Sequence, residues 1–159
     1  MNLVVQKNLG AIVDLVRAGA ASTLTAGGAG NNVGVTGVTI DRYAYLAQPY
    51  GSLPMNAAIG IAFSATLSAG KALTVSATVN TSSDGVNWSP LQTFPAVTAA
   101  SSSAGGVVTG VQEFMVSLTS AARWVQFVWT PALTATATDS ASIFPQCALG
   151  GFDRYPAPN

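Results

Sequence analysis

The chain has no histidine, a single cysteine and few charges: six Lys or Arg and six Asp or Glu among 159 residues, 8% in all. Without histidine, the commonest general base, the commonest metal ligand and every Ser-His or Cys-His nucleophile pair are gone. One cysteine cannot close an intramolecular disulfide and leaves no basis for a cysteine-built metal site. Cys147 is therefore expected to be a small buried apolar side chain rather than a reactive thiol. Carboxylates are equally sparse, since the five Asp and the one Glu are dispersed at turns and chain ends, which is not the pairing that glycoside hydrolysis requires. The expectation is a protein with no catalytic residues, no metal and no cofactor.

The shortage of charge excludes more. Phosphate recognition depends on clustered Lys and Arg, whereas the six here are scattered from Lys7 to Arg154 without a basic stripe, so nucleic acid is not an expected partner. Ordinary proteins carry about 25% charged residues. Here Ser, Thr, Asn, Gln, Gly and Ala must fill the water-facing positions, and net charge is zero. Little repulsion keeps copies apart on such a surface, as suits a subunit packed against neighbours.

Long apolar runs are also missing. Tyr43–Gly70 is free of charge but is broken by Gln48, Pro49, Gly51, Pro54 and Asn56, so no membrane span is expected. Leu9–Val16 followed by Ala18-Gly19-Ala20 mimics a signal peptide, yet Asp14 interrupts the apolar run and Arg17 precedes the would-be cleavage site; secretion is not expected. Gly27-Gly28-Ala29-Gly30 lacks the Gly-Lys-Ser/Thr ending of a phosphate loop and reads as a flexible arm.

What the sequence does have is alternation. Ile59, Ile61, Phe63, Ala65 and Leu67 oppose Gly60, Ala62, Ser64, Thr66 and Ser68, and after Ala69-Gly70-Lys71 the pattern resumes with Leu73, Val75, Ala77 and Val79. Period-two alternation marks half-buried strands, and the tight Ala-Gly turn predicts an antiparallel hairpin. Ser82-Ser83-Asp84-Gly85 predicts a second reversal, because Asp and Gly both tolerate positive φ, leading into a strand over Val86–Phe94. Thr98–Gly106 is polar and aperiodic and reads as a long surface loop. Further strands are expected at Val107–Val111, Phe114–Leu118, Val125–Thr130, Leu133–Thr138 and Ala141–Leu149. Spacings near ten residues predict an all-β fold, an antiparallel sandwich or jelly roll.

The N-terminal part is ambiguous: Leu9, Ile12, Val13 and Val16 fit a helical stripe, whereas Leu3-Val4-Val5 fits a strand. The predicted organisation is an N-terminal arm or short helix with a Gly-rich linker over 1–32, then a sandwich core with a C-terminal tail over 33–159. A tripeptide recurs, Asp41-Arg42-Tyr43 and Asp153-Arg154-Tyr155. Its copies read either as ion-paired contacts at a subunit boundary or as strand-end charge pairs worth under about 1 kcal/mol. Trp129 shares a face with Val125 and Phe127 and is expected in the core. Trp124 and Trp88 are left as anchors for a partner or ligand.

Two resemblances follow from these segments. Val75–Trp88 (VSATVNTSSDGVNW) with Ala122-Arg123-Trp124-Val125-Gln126-Phe127 resembles the hairpin and closing strand of discoidin-type galactose-binding jelly rolls, which implies a sandwich. A fuller resemblance runs from about Leu24 to Ala157 and is carried by Thr25-Ala26-Gly27-Gly28, Val35-Thr36-Gly37, Ile40-Asp41-Arg42, the Asp84-Gly85 turn, Ala137-Thr138-Asp139-Ser140-Ala141 and Gly150-Gly151-Phe152-Asp153-Arg154-Tyr155-Pro156. This is similar to small proteins encoded among the head genes of tailed bacteriophages. It implies a virion protein, made in the host cytoplasm and seated on the capsid exterior as a cement or decoration subunit. Its partners would be a major capsid protein and further copies of itself, as a trimer or dimer. The expected contact residues are Leu3, Val5, Leu9, Ile12 and Val16 of the arm, Tyr50 in the loop Gln48–Pro54, Arg42, Trp88 and Trp124, and Arg154 and Tyr155 of the tail. The alternative is a carbohydrate- or receptor-binding virion module using Trp88 and Trp124, with a glycan as ligand.

Overall fold

The computed structural model describes residues 13–47, 51–134 and 138–152. Nine strands are found among them: β1 (Val13–Arg17), β2 (Ser22–Thr25), β3 (Val35–Asp41), β4 (Asn56–Leu67), β5 (Lys71–Ser82), β6 (Ser89–Ser102), β7 (Gly106–Ser117), β8 (Trp124–Leu133) and β9 (Ser140–Gly150), with a 3-10 helix at Arg42–Ala47. A five-stranded sheet has the order β1-β9-β4-β7, with β2 also on β9, and a four-stranded sheet has the order β3-β8-β5-β6. Every pairing is antiparallel. The protein is an all-β antiparallel sandwich, as its alternation predicts.

The core lies between the sheets. Ile59, Ile61 and Phe63 of β4 with Ile143 and Leu149 of β9 face Leu73, Val75 and Val79 of β5 with Val125, Phe127 and Trp129 of β8, all at most 5% exposed. Alternation produces this directly, since successive side chains of a strand point to opposite faces. Four prolines lie inside strands, each where a ladder partner is missing; Pro90 and Pro95 belong to β6, the edge strand of its sheet. Pro145 falls on the edge of β9 between the stretches paired by β1 and by β2, and Pro131 lies beyond the last residue of β8 paired with β3.

The connection from β4 to β5 differs from the expected hairpin. The turn at Ser68–Gly70 is tight, with Lys71 N donating to Ser68 O at 3.1 Å and Gly70 at φ 72°, but it carries the chain from one sheet to the other. Alternation reports that each strand has one buried face and leaves open whether its successor lies beside it or across the core. The stretch Thr98–Gly106 is not a long loop either. β6 continues to Ser102 and only Ser103–Gly105 separate it from β7, because the ladder to Lys71–Thr74 supplies backbone partners whatever the side chains. This second crossover lies against the first, and Gly70 N donates to Ser102 O at 2.7 Å. The turn at Ser82–Gly85 does join paired strands, β5 and β6.

The N-terminal expectation is also corrected. Val13 and Val16 belong to a strand, not a helix, and β1 and β2 both pair with β9, so the division at residue 32 does not separate an arm from the core among the described residues. The Gly-rich stretch is a fixed turn: Thr25 N donates to Ala29 O at 3.1 Å, Gly28 N to Thr25 O at 3.0 Å, and Leu133 N to the Asn31 side chain at 2.8 Å. The strand expected at Leu133–Thr138 meets β8 at its first residue, since β8 runs through Pro131 to Leu133, and 135–137 lie outside the described residues.

The sheets are keyed together at Trp129. A Cβ added at Gly19, between β1 and β2, would lie 2.2 Å from the Trp129 ring, and one added at Gly37 of β3 would lie 2.3 Å from Ala18 O and 2.8 Å from Phe127 O. Gly37 sits in a register shift between Thr36 and Thr39, where Val38 N leaves the ladder and donates to Ala18 O at 2.8 Å. Backbone oxygens cannot rotate away, so Gly37→Ala is expected to lower stability by about 1–3 kcal/mol, the usual range for overpacking. Gly34→Ala, whose added methyl would make only an ordinary 3.5 Å contact, should stay within about 0.5 kcal/mol. Urea midpoints of the two variants check this.

Candidate functional site

The two outer faces of the sandwich differ in chemistry. On the four-stranded sheet, β5 turns out Thr74, Ser76, Thr78 and Asn80, flanked across the ladder by Thr130, Val128 and Gln126 of β8. This face is polar but almost uncharged. On the five-stranded sheet, one cross-strand row reads Leu15, Ala148, Ala58, Met115, and another runs from Phe144 through Ala62 to Val111. Leu15 is 79% exposed, Met115 69%, Val111 66% and Phe144 47%. Between β1 and β7 the floor is built of Ala58, Gly60, Ala62, Ala148 and Gly150. A shallow hollow of about 170 Å³ lies there, bounded by Val13 and Met115. Large side chains over a floor of small ones make a surface that another packed sheet or chain can key into.

The charges of this face stand on one row, Arg17, Gln146, Gly60, Glu113. Arg17 is at the β1 edge, where its Nε also donates to Gly19 O at 2.8 Å, and Glu113 is on β7.

A second cluster closes one end of the sandwich. Arg123 grips Asp41 with two bonds, Nε to Oδ1 at 3.0 Å and Nη2 to Oδ2 at 2.6 Å, and its guanidinium lies 4.7 Å from the Trp124 ring centre and 5.5 Å from that of Tyr43. The Trp124 face expected to hold a ligand is thus covered by a side chain of the same molecule. Asp41 pairs with Arg123 rather than with its neighbour Arg42. Arg42 is 2% exposed, and it donates to the carbonyls of Ala121, Ala122 (3.0 Å) and Pro54 (3.0 Å). It fixes the loops at this end and is not a contact residue, contrary to expectation. Burial pulls its pKa below the usual guanidinium value, with Tyr43 opposing.

The other expected contacts divide. Val16 is partly buried, pairs with Cys147 and packs against the core; its neighbour Leu15 is the exposed one, because adjacent strand residues face opposite ways. Trp88 is half-buried at the end of the turn before β6. Leu3, Val5, Leu9, Ile12, Tyr50, Arg154 and Tyr155 lie outside the described residues. Cys147 is buried, and burial, with Asp14 adding to it, pushes its thiol up to about 12, which agrees with an inert apolar role. Sequence reasoning missed Leu15, Met115, Val111 and Phe144. The available signal was apolar residues on both parities of one strand, as in β7, where Val111 and Met115 alternate with Phe114 and Val116.

No protein-family model matches the chain, and no curated protein matches it in sequence. Among solved structures it is similar to that of the infectious bursal disease virus Gx strain, with 13% identity over 91% of this chain and 33% of that one and a TM-score of 0.49. It is also similar to the VP2 subviral particle of infectious bursal disease virus, with 10% identity over 91% and 34% and a TM-score of 0.46, and to dimeric latent PorU from Porphyromonas gingivalis, with 13% identity over 92% and 13% and a TM-score of 0.40. The chain spans about a third or less of each of those chains.

Two carboxylates, Asp41 half-buried and Asp84 exposed, tie the end cluster to pH. Hydrogen bonding from Arg123 holds the Asp41 carboxyl below its ordinary value of 3.8, and the backbone N–H groups of Asn87 and Val86 do the same for Asp84. A folded-state pKa below the unfolded value stabilises the fold above the unfolded value and ceases to do so as pH falls through the folded one. Stability should therefore hold from neutral pH to about 4 and fall below it, with a shallower fall in Asp84→Asn. Urea midpoints measured from pH 6 to pH 2 check the slope.

Proposed function

We propose that this chain is a non-enzymatic structural subunit of a virion, a cement or decoration subunit that binds the exterior of a tailed-phage head and bridges capsid subunits. The observation that carries the reading is the exposed apolar outer face of the five-stranded sheet. In a chain with so few charges, such a face is costly to leave in water, and contiguous exposed apolar surface marks an interaction site. The chemistry of the rest is consistent with this. Cys147 is buried with its thiol proton held. The resemblance of the sequence to phage head-gene products gives the setting. A protein that binds an assembled shell and not its free subunits stabilises the shell by mass action.

Purified chain added to cognate heads that lack it should co-sediment with them and raise the temperature at which they release DNA. Ala58→Arg, a charge placed in the middle of the apolar face, should lose both effects while melting like the parent protein. Heads that neither bind the chain nor gain stability would refute the reading.

A further inference from the structure

Resting on the reading of that face as an assembly surface, we infer that its occupant is a second copy of this chain, packed sheet against sheet about a two-fold axis that runs parallel to the strands between β9 and β4. The row registers define what such an axis would bring together. Rotation about it exchanges β9 with β4 and β1 with β7 while keeping each row at its level. Arg17 of each copy then lies over Glu113 of the other, giving two reciprocal ion pairs. A two-fold axis at right angles, along that row, would instead set Arg17 over Arg17 and Glu113 over Glu113. Charge therefore selects one of the two face-to-face arrangements.

The shape of the face is compatible with the same arrangement. The axis parallel to the strands puts Phe144 over Ala62 and Gln146 over Gly60, large against small, and sets Leu15 over Met115. A self-complementary patch of this kind is what an isologous dimer needs. Aligned sheet packing allows the strands of the two faces to cross at about 30° with side chains interdigitating. The area is adequate too. β1, β2, β4, β7 and β9 are 5, 4, 12, 12 and 11 residues long, and at about 3.3 Å per residue and about 4.8 Å between strands they cover about 700 Å², within the roughly 600–1,000 Å² per partner of a standard-size complex. In the dimer the polar outer faces of the four-stranded sheets point away from each other, which leaves them and the loop ends to meet a shell.

Sedimentation equilibrium of the full chain, with head binding measured in parallel, tests this. The parent protein should be a dimer at micromolar to submillimolar concentration. Arg17→Glu and Glu113→Arg should each weaken it at least about tenfold by turning both ion pairs into repulsions, and the double charge swap should restore it to within a few-fold of the parent. Ala58→Arg should be monomeric. A parent protein that stays monomeric, or single variants that the double swap does not rescue, would overturn the pairing. If the chain is monomeric while Ala58→Arg still loses head binding, the assembly reading of the face stands and only the pairing falls. If the dimer behaves as stated but heads are not bound, the pairing stands and the virion role falls.

Discussion

The structure depends on one large side chain having nowhere else to go. Trp129, 1% exposed, projects from β8 across the sandwich onto Gly19 and the Gly37 segment of β3, where there is room for no side chain at all. Its indole N–H finds no acceptor among the described residues; such an omission costs about 1–3 kcal/mol and is tolerated because the ring fills the space between the sheets. The register shift that accommodates it sends Val38 N to Ala18 O, so the edge of one sheet is tied to the connection between β1 and β2 of the other. With the sheets locked in this way, the parity of every strand is fixed, and with it which residues face out.

That parity produces the functional asymmetry. β4 and β9 are central strands of the five-stranded sheet and turn Ala and Gly outward apart from Phe144 and Gln146 of β9, while β1 and β7 at its two sides turn out Leu15, Val111 and Met115. The four-stranded sheet turns out Thr, Ser and Asn from β5. Both faces avoid charge, but only one is apolar. A chain with so few charges has little electrostatic means of staying apart from its neighbours, so the chemistry of its outer faces decides where it associates.

The fold class was legible because alternation is a local property, and β4, β5, β8 and β9 display it over ten or more residues. The core position of Trp129 and the inert burial of Cys147 were legible for the same reason. The partner of each strand was not, since a tight Gly turn looks alike whether the chain folds back beside itself or crosses to the other sheet. Strand β6 through Ser102 was hidden because Ser and Ala carry no pattern and backbone bonding alone extends it. At the site, Val16 was chosen where Leu15 is exposed, one position away and therefore on the opposite face. Arg42 looked like a surface charge because sequence does not reveal that three carbonyls converge on it.

The central claim is that the outer face of the five-stranded sheet is covered when the protein works. Oxidative footprinting of Met115 tests it most directly, with Met55, off that face, as the internal reference. In dilute free chain Met115 should oxidise faster than Met55, and in the assembled protein its rate should fall well below that of the free chain while that of Met55 changes little. Equal oxidation of Met115 before and after assembly would contradict the account.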